Sequence, residues 1–453
     1  MHTTPAQMAA LSYRRIAKSL KLHKYRPVPI ALLAMGLCLS FSVATLSSTQ
    51  VPEDARDWVA LAIDRVCTEP GMSGLAAQNV LPDSWLLEET QQPTTGTPSR
   101  VSMRFALPGG AELTLQLRLA NGTLRQFRAS VALGNGQNPD PRFLAIADGS
   151  CVVRSAREIR AGKEPWIFLD QLDGDLRTLR WTETLQAPWP PGADPGGVRI
   201  GLVDSGLAYD LPVFSDRIAR RQDGTPVGYD FWDLDAWPYD GDTSRGAFLP
   251  IRHGTAVASI VAREAPDAAL VPYRYPRPDM TRMADLVEHA LENGVKILAM
   301  PLGSRKASDW EAFASALEGQ DILAIVSAGN DGRDIDETPV YPAALNLDNI
   351  LTVTSADAFG RLAQGSNWGA TSVDLMVPAE NMDVTDFRGA SGVASGSSYA
   401  VPRLAALAAR LLEREPDLTA LDLKDRILDR AVPSPFEQER SVSTGWIPDP
   451  EAD

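Results

Sequence analysis

Beyond residue 50 this chain has few side chains with which to do chemistry: two histidines, His253 and His289, and two cysteines, Cys67 and Cys151. His289 lies inside "MADLVEHALENG", a helical pattern with no Gly, Ser or Asp signature around it, and reads as a surface or core histidine. His253 sits in "IRHGTAVASIVA". There a Gly-Thr pair opens an apolar helix, which puts the imidazole at a helix N-terminus. Asp204 ends the apolar run of "GLVDSGLAYD", where Ser205-Gly206 forces a turn. A carboxylate at a strand end can ligate a metal, accept from a sugar hydroxyl or partner an imidazole. Asn330 follows a glycine in "SAGN", 327–330, as a turn residue or an amide donor. Last comes "GSSYAVPRLAALAARLLER", a long apolar helix opening at Gly396. A serine there has backbone N–H groups pointing past it and a dipole that favours a developing anion. Helix capping by Ser397 or Ser398 is the plainer alternative. Each residue alone has an ordinary structural explanation. In chain order they run Asp, His, Asn, Ser, and each stands at the end of a strand or the start of a helix.

Near-continuous apolar runs position them: "VRIGLVD" (198–204), "AALVPYRY" (268–275), "VKILAMPLG" (295–303), "DILAIVSAGN" (321–330) and "NILTVTSA" (349–356). Strands buried on both faces read this way. Helical patterns lie between them, and the alternation implies a doubly wound, mostly parallel α/β sheet, with ligands at the carboxyl ends of its strands. Upstream, "RVSMRFAL", "AELTLQLRLA" and "TLRQFRASVAL" alternate apolar and polar residues between the turns "PGG" and "NGT". They predict an antiparallel meander with a helix on one face, a smaller α+β N-terminal domain running to about residue 185. The Pro/Gly-rich Leu185–Gly197 supports neither helix nor strand. It divides residues 51–190 from residues 191–453.

Residues 1–50 hold six basic and no acidic side chains, followed by the apolar run Ile30–Leu46. This segment reads as a signal peptide cut near Ser42-Val43-Ala44, or as an uncleaved membrane anchor; either way the body is exported. The formal net charge is −15, and since residues 1–50 contribute +6, the remainder stands at −21. So acidic a body excludes nucleic acid as the expected partner, because phosphate binding needs clustered Lys and Arg. Cys67 and Cys151 are an even pair that an exported protein can oxidise to a disulfide; the alternative is two free buried thiols.

The motifs "VDSG" at Asp204, "HGTAVAS" at His253, "MPLGS" at 300–304, "SAGND" at Asn330, "YPAAL" at 341–345, "DLMVPAEN" at 374–381 and "SGSSYAVP" at Ser398 together resemble the subtilisin-like serine proteases over about 197–431. The resemblance implies a serine endopeptidase with a peptide or protein substrate and no required cofactor. It carries the catalytic roles onto Asp204, His253 and Ser398, and the oxyanion donor onto Asn330. It places the substrate as an extended strand along Pro301, Leu302, Gly303 and Ser304, and the primary specificity pocket at Ser327, Ala328 and Gly329. The family pattern Gly-Thr-Ser-Met-Ala-x-Pro aligns Gly396 and Pro402 with its ends and Ser398 with the nucleophile. Ser397 replaces threonine and Tyr399 replaces methionine. Pro301 replaces the usual serine and removes one backbone N–H from the substrate strand. Many members bind calcium, so Asp230, Asp233, Asp235, Asp240 and Asp242 read either as ligands or as a solvated loop; their spacing is not that of an EF-hand. Residues 51–190 lie where the family carries a removable prodomain; a permanent accessory domain is the alternative. From another class, a catalytically silent relative that binds peptides is opposed by the presence of every catalytic residue type. An α/β-hydrolase is opposed by the absence of a G-x-S-x-G elbow.

Overall fold

Residues 85–186 alternate apolar and polar side chains, and in the computed structural model they form eight antiparallel strands in sequence order, from Trp85–Gln92 to Leu179–Gln186. Residues 54–93, 96–134, 139–436 and 441–452 are described; the expectations for residues 1–50 fall outside them. A period of two sends alternate side chains to opposite faces. Met103, Phe105, Leu115 and Phe127 point inward and pack against Trp58 and Val59 of the helix Ala55–Ala62, which Asp54 caps by accepting the Asp57 N–H. A second short helix, Gly74–Val80, is capped by Ser73. Cys67, just beyond the first helix, is bridged to Cys151 across 84 residues of chain.

The second sheet has eight parallel strands. Its order is Tyr229–Asp230, Ala269–Arg274, Arg199–Asp204, Ile297–Met300, Leu323–Ser327, Ile350–Ala356, Leu375–Pro378 and Gly445–Trp446. The helices Gly254–Glu264, Ser397–Arg414 and Ala420–Leu428 cover one face. Met283–Glu292 and Glu311–Leu317 cover the other. Coverage on both faces explains the unbroken apolar runs, since neither side of a central strand meets water. No helix among the described residues is long and apolar enough to cross a membrane.

The two sheets touch through a loop. Asp242 and Ile251 exchange backbone hydrogen bonds of 2.9 and 2.8 Å, closing residues 242–251 into a projection. Its Phe248 is buried against Leu144 and Leu169 on the outward face of the first sheet, and the Phe248 carbonyl accepts from Arg157 at 2.7 Å. At the loop base, partly buried Arg252 donates to the Thr184 carbonyl at 3.2 Å. The connector is held as well: Trp189 stacks on Tyr209 at 4.2 Å, and the Tyr209 hydroxyl donates to the Ala187 carbonyl at 2.6 Å.

The cross-link spans 84 residues, and a loop of that size removes enough unfolded-state entropy to be worth up to ~4.5 kcal/mol. Replacing both cysteines with serine should therefore lower the chemical denaturation midpoint of the N-terminal sheet and expose it to limited proteolysis. An unchanged midpoint would show that the bridge contributes nothing.

Candidate active site

Asp204 is the last residue of the strand Arg199–Asp204, which pairs with Ala269–Arg274 on one side and Ile297–Met300 on the other. The strand order therefore reverses at Asp204, the point where open α/β sheets form a crevice. Its buried carboxylate places both oxygens on His253 Nδ1, at 2.9 and 2.8 Å. A carboxylate only accepts, so Nδ1 carries the hydrogen and Nε2 of the neutral ring presents its lone pair. Burial pushes the His253 pKa down, but the charge and hydrogen bond of Asp204, with Asp240 behind, outweigh it and leave the pKa raised.

A buried node fixes the two backbones. The Ser205 hydroxyl donates to Asp240 at 2.6 Å and accepts the N–H groups of His253 and Gly254 at 3.1 and 2.9 Å. Asp240, wholly buried, also accepts the Thr255 N–H at 3.1 Å. The carboxylate thereby serves the first turn of the helix Gly254–Glu264, where the dipole favours negative charge. Glycine is required at 254, because a Cβ there would lie 2.0 Å from the Gly206 carbonyl oxygen. Nothing in the spacing of the acidic loop marks Asp240 out from its neighbours. Those neighbours go elsewhere: Asp230 and Asp233 both bind the Arg274 guanidinium, and Asp242 accepts from the Tyr275 hydroxyl at 2.8 Å. Among the described residues no group of three or more His, Cys, Asp or Glu side chains is arranged to hold a metal ion, and these carboxylates do not fit a calcium ion.

The third part is the turn into the helix Ser397–Arg414. Gly396 has φ +128°, and a Cβ there would come within 3.0 Å of Asn330 Oδ1. That oxygen accepts the Ser397 N–H at 2.9 Å and its hydroxyl at 3.0 Å. With Oδ1 so engaged, the Nδ2 of the exposed Asn330 is the group left to donate. Ser397 is fully buried, and its hydroxyl also contacts Ser327 Oγ at 2.7 Å. Ser398 is partly exposed. Among the described residues its hydroxyl makes one hydrogen bond, a long 3.5 Å contact to the Pro301 carbonyl, and none to His253. Tyr399 lays its ring 5.9 Å from the imidazole, tilted by 52°. Pro402 offers no N–H to the Ser398 carbonyl four residues earlier, as any proline inside a helix must.

A cavity of about 240 Å³ opens beside His253, lined by Asp204, Pro301–Ser304, Tyr275, Arg277, Met280 and Trp310 among others. Ser304 exchanges two 2.8 Å backbone bonds with Tyr341, and its hydroxyl accepts from Trp310 Nε1 at 3.0 Å. Sequence reasoning missed the Tyr275–Met280 wall and Trp310, which reach the cleft through chain return. Ser327 and Ala328 are buried in the sheet, and Gly329 alone of the three has some exposure. Asn367 was also missed; it is buried and accepts the N–H groups of Asp331 and Arg333 at 2.9 and 3.2 Å, holding the loop that carries Asn330. A larger cavity, about 510 Å³, lies by Gln320 and Thr419, at the end of the strand Leu323–Ser327 opposite Asn330. None of the candidate residues lines it.

Residues 196–446 match the family model described as the subtilase family. Among curated proteins the chain is 26% identical to a thermophilic serine proteinase of Bacillus sp. (strain AK1), covering 49% of this chain and 54% of that protein. It is 30% identical to the minor extracellular protease Vpr of Bacillus subtilis (strain 168), over 43% of this chain and 26% of that one. Against the halolysin-like extracellular serine protease Nep of Natrialba magadii the identity is 27%, over 54% and 46%. The matches thus span about half, or less, of the length of these relatives.

The raised His253 pKa has a testable sign. In a histidine-labelled sample, NMR titration should find this imidazole protonated to higher pH than an unperturbed one. Asp204→Asn should move its midpoint to lower pH, because burial then acts without the opposing charge. A midpoint that stayed in place would remove Asp204 as the cause.

Proposed function

Because the chain belongs to the subtilase family, we propose that it is a serine endopeptidase that cleaves peptide bonds through an acyl-enzyme. The observation that carries this reading is the buried Asp204 carboxylate held on His253 Nδ1 at the mouth of the cleft. His253 Nε2 takes the proton of the Ser398 hydroxyl as its oxygen attacks the substrate carbonyl. Asp204 holds the tautomer and stabilises the imidazolium. Asn330 Nδ2 and the Ser398 N–H receive the oxyanion, in a place where the helix dipole also favours negative charge. The imidazolium then protonates the leaving amine, and water returns the enzyme by the same proton route. Ser398 is the nucleophile rather than Ser397 because the Ser397 hydroxyl is fully buried and held by Asn330 and Ser327. The substrate backbone runs along Pro301–Ser304, opposite Tyr275 and Arg277, with its primary side chain near Gly329.

Export fits the apolar leader, and two of the relatives are named as extracellular proteases. We read the N-terminal domain as a docked accessory rather than as a plug: among the described residues none before Asp204 lines the cavity beside His253, and the domain packs on the loop that leads into His253.

A fluorophosphonate probe tests the assignment. The wild-type chain and Ser397→Ala should label, and Ser398→Ala should not. Asn330→Ala should keep its labelling site but lose ~10²–10³ in turnover of a peptide substrate. A folded wild-type chain that neither labels nor cleaves would overturn the proposal, and labelling that followed Ser397 would move the nucleophile by one residue.

A further inference from the structure

The outward face of the N-terminal sheet has two halves. Over the later strands it is apolar, with Leu144, Ile146 and Leu169 packed around Phe248. Over the strands Arg100–Ala106, Ala111–Ala120 and Thr123–Leu133 it is basic. The register sets Arg100 directly opposite Arg118, with Arg128 one pair further along the next strand, opposite Gln116 and Ile146. Two adjoining concavities share Arg100 and Arg118. One, about 210 Å³, adds Gln116, Gln126 and Arg128. The other, about 400 Å³, adds Gln92, Ser99 and Arg125. No carboxylate lines either.

These four arginines have no counter-ion among the described residues. The nearby acids are spent on others. Asp148 holds Arg154 at 2.6 Å, while Glu88 and Glu112 lie 3.7 and 3.9 Å from Arg104. Like charges directly opposite in a sheet destabilise it. The array also runs against a chain with 58 acidic and 43 basic residues. Arg128 is half-buried, and loss of water pushes its pKa down with no anion to restore it. An array of guanidinium forks without partners is a surface made for carboxylate or phosphate.

We propose that this face is an exosite that binds an acidic stretch of polypeptide, with Asp and Glu carboxylates seated on Arg100, Arg118, Arg125 and Arg128. The identity of the ligand as polypeptide rests on the peptidase reading and on the groups between the arginines. Gln92, Gln116 and Gln126 carry carbonyl oxygens that accept from peptide N–H, whereas a phosphate polymer offers acceptors alone. Position supports the same reading. Arg128 Nη2 stands 3.8 Å from where a Cβ at Gly246 would be, beside the loop that closes at Asp242–Ile251 and leads into His253. A chain held on the arginines is thus tethered next to the cleft, which raises its effective concentration there. The exosite lowers KM for substrates bearing an acidic segment and leaves kcat unchanged.

The test uses the full chain carrying Ser398→Ala and a fluorescein-labelled octaglutamate peptide read by anisotropy. Octaglutamate should bind and octalysine should not. Arg118→Gln with Arg128→Gln should weaken binding at least tenfold while far-UV circular dichroism is unchanged, and raised salt should weaken it too. Absence of octaglutamate binding, or binding indifferent to the two arginines in a folded protein, overturns the proposal. Inorganic polyphosphate binding more tightly than octaglutamate with the same arginine dependence overturns the polypeptide assignment in favour of a phosphate polymer. With wild-type enzyme, an octaglutamate tail should lower the KM of a short peptide about tenfold, and the double arginine variant should abolish that gain alone. If octaglutamate binds but neither peptide is cleaved, the peptidase reading fails and the acidic-peptide site stands.

Discussion

The site hangs on one buried carboxylate–hydroxyl contact, Asp240 on Ser205. A strand end and a helix start have no covalent reason to meet. Here the residue after Asp204 and the N–H groups of His253 and Gly254 meet on a single hydroxyl oxygen, and Asp240 orients that hydroxyl. An isolated charge with no solvent exposure would be too costly to keep. Asp240 is tolerated because several donors converge on it and because a helix N-terminus faces it. What the node fixes is backbone, so the imidazole and its carboxylate are brought together before their own hydrogen bond forms. That bond orients the ring; the Ser205–Asp240 pair decides that there is a ring to orient.

A second small polar cluster does the same at the other side of the cleft. Ser327, Ser397 and Asn330 form a chain of side chains from the buried end of a strand to the surface. Ser397 bonds to the acceptor oxygen of Asn330 through both its N–H and its hydroxyl. The two adjacent serines thus differ in exposure: the inner one is fully buried and the outer one partly exposed. Tyr399, to which the family pattern assigns no role, backs the imidazole from the helix side.

Much of this architecture is legible in the amino-acid sequence. The unbroken apolar runs of the parallel strands, the alternation of the meander and the strand-end or helix-start positions of Asp204, His253, Asn330 and Ser398 follow from periodicity and turn chemistry. What is not legible depends on distant chain returning to a point. Asp240 looks like any other acid in a stretch of five. Tyr275, Arg277 and Trp310 enter the cleft through loops whose course no local pattern encodes. The arginines of the first sheet are visible in each strand, but only the pairing register sets Arg100 against Arg118. Ser327 and Ala328, which the family pattern sets along the specificity pocket, are buried, and their polar groups bond to neighbouring chain.

On the proposed peptidase reading, the projection formed by residues 242–251 carries a consequence for a chain that must survive its own company. Cleavage requires several residues of extended chain, and an irregular loop beside a catalytic cleft is the natural victim of a neighbouring copy. This loop is closed at its base by the Asp242–Ile251 pairing and tethered at its tip by Phe248. Extending it would bring an aromatic side chain back into water, at roughly 1.5–3 kcal/mol. That penalty thins the cleavable population by about ten- to a hundredfold. On that reading, the docked N-terminal sheet keeps one of the chain's own peptide bonds out of reach of cleavage.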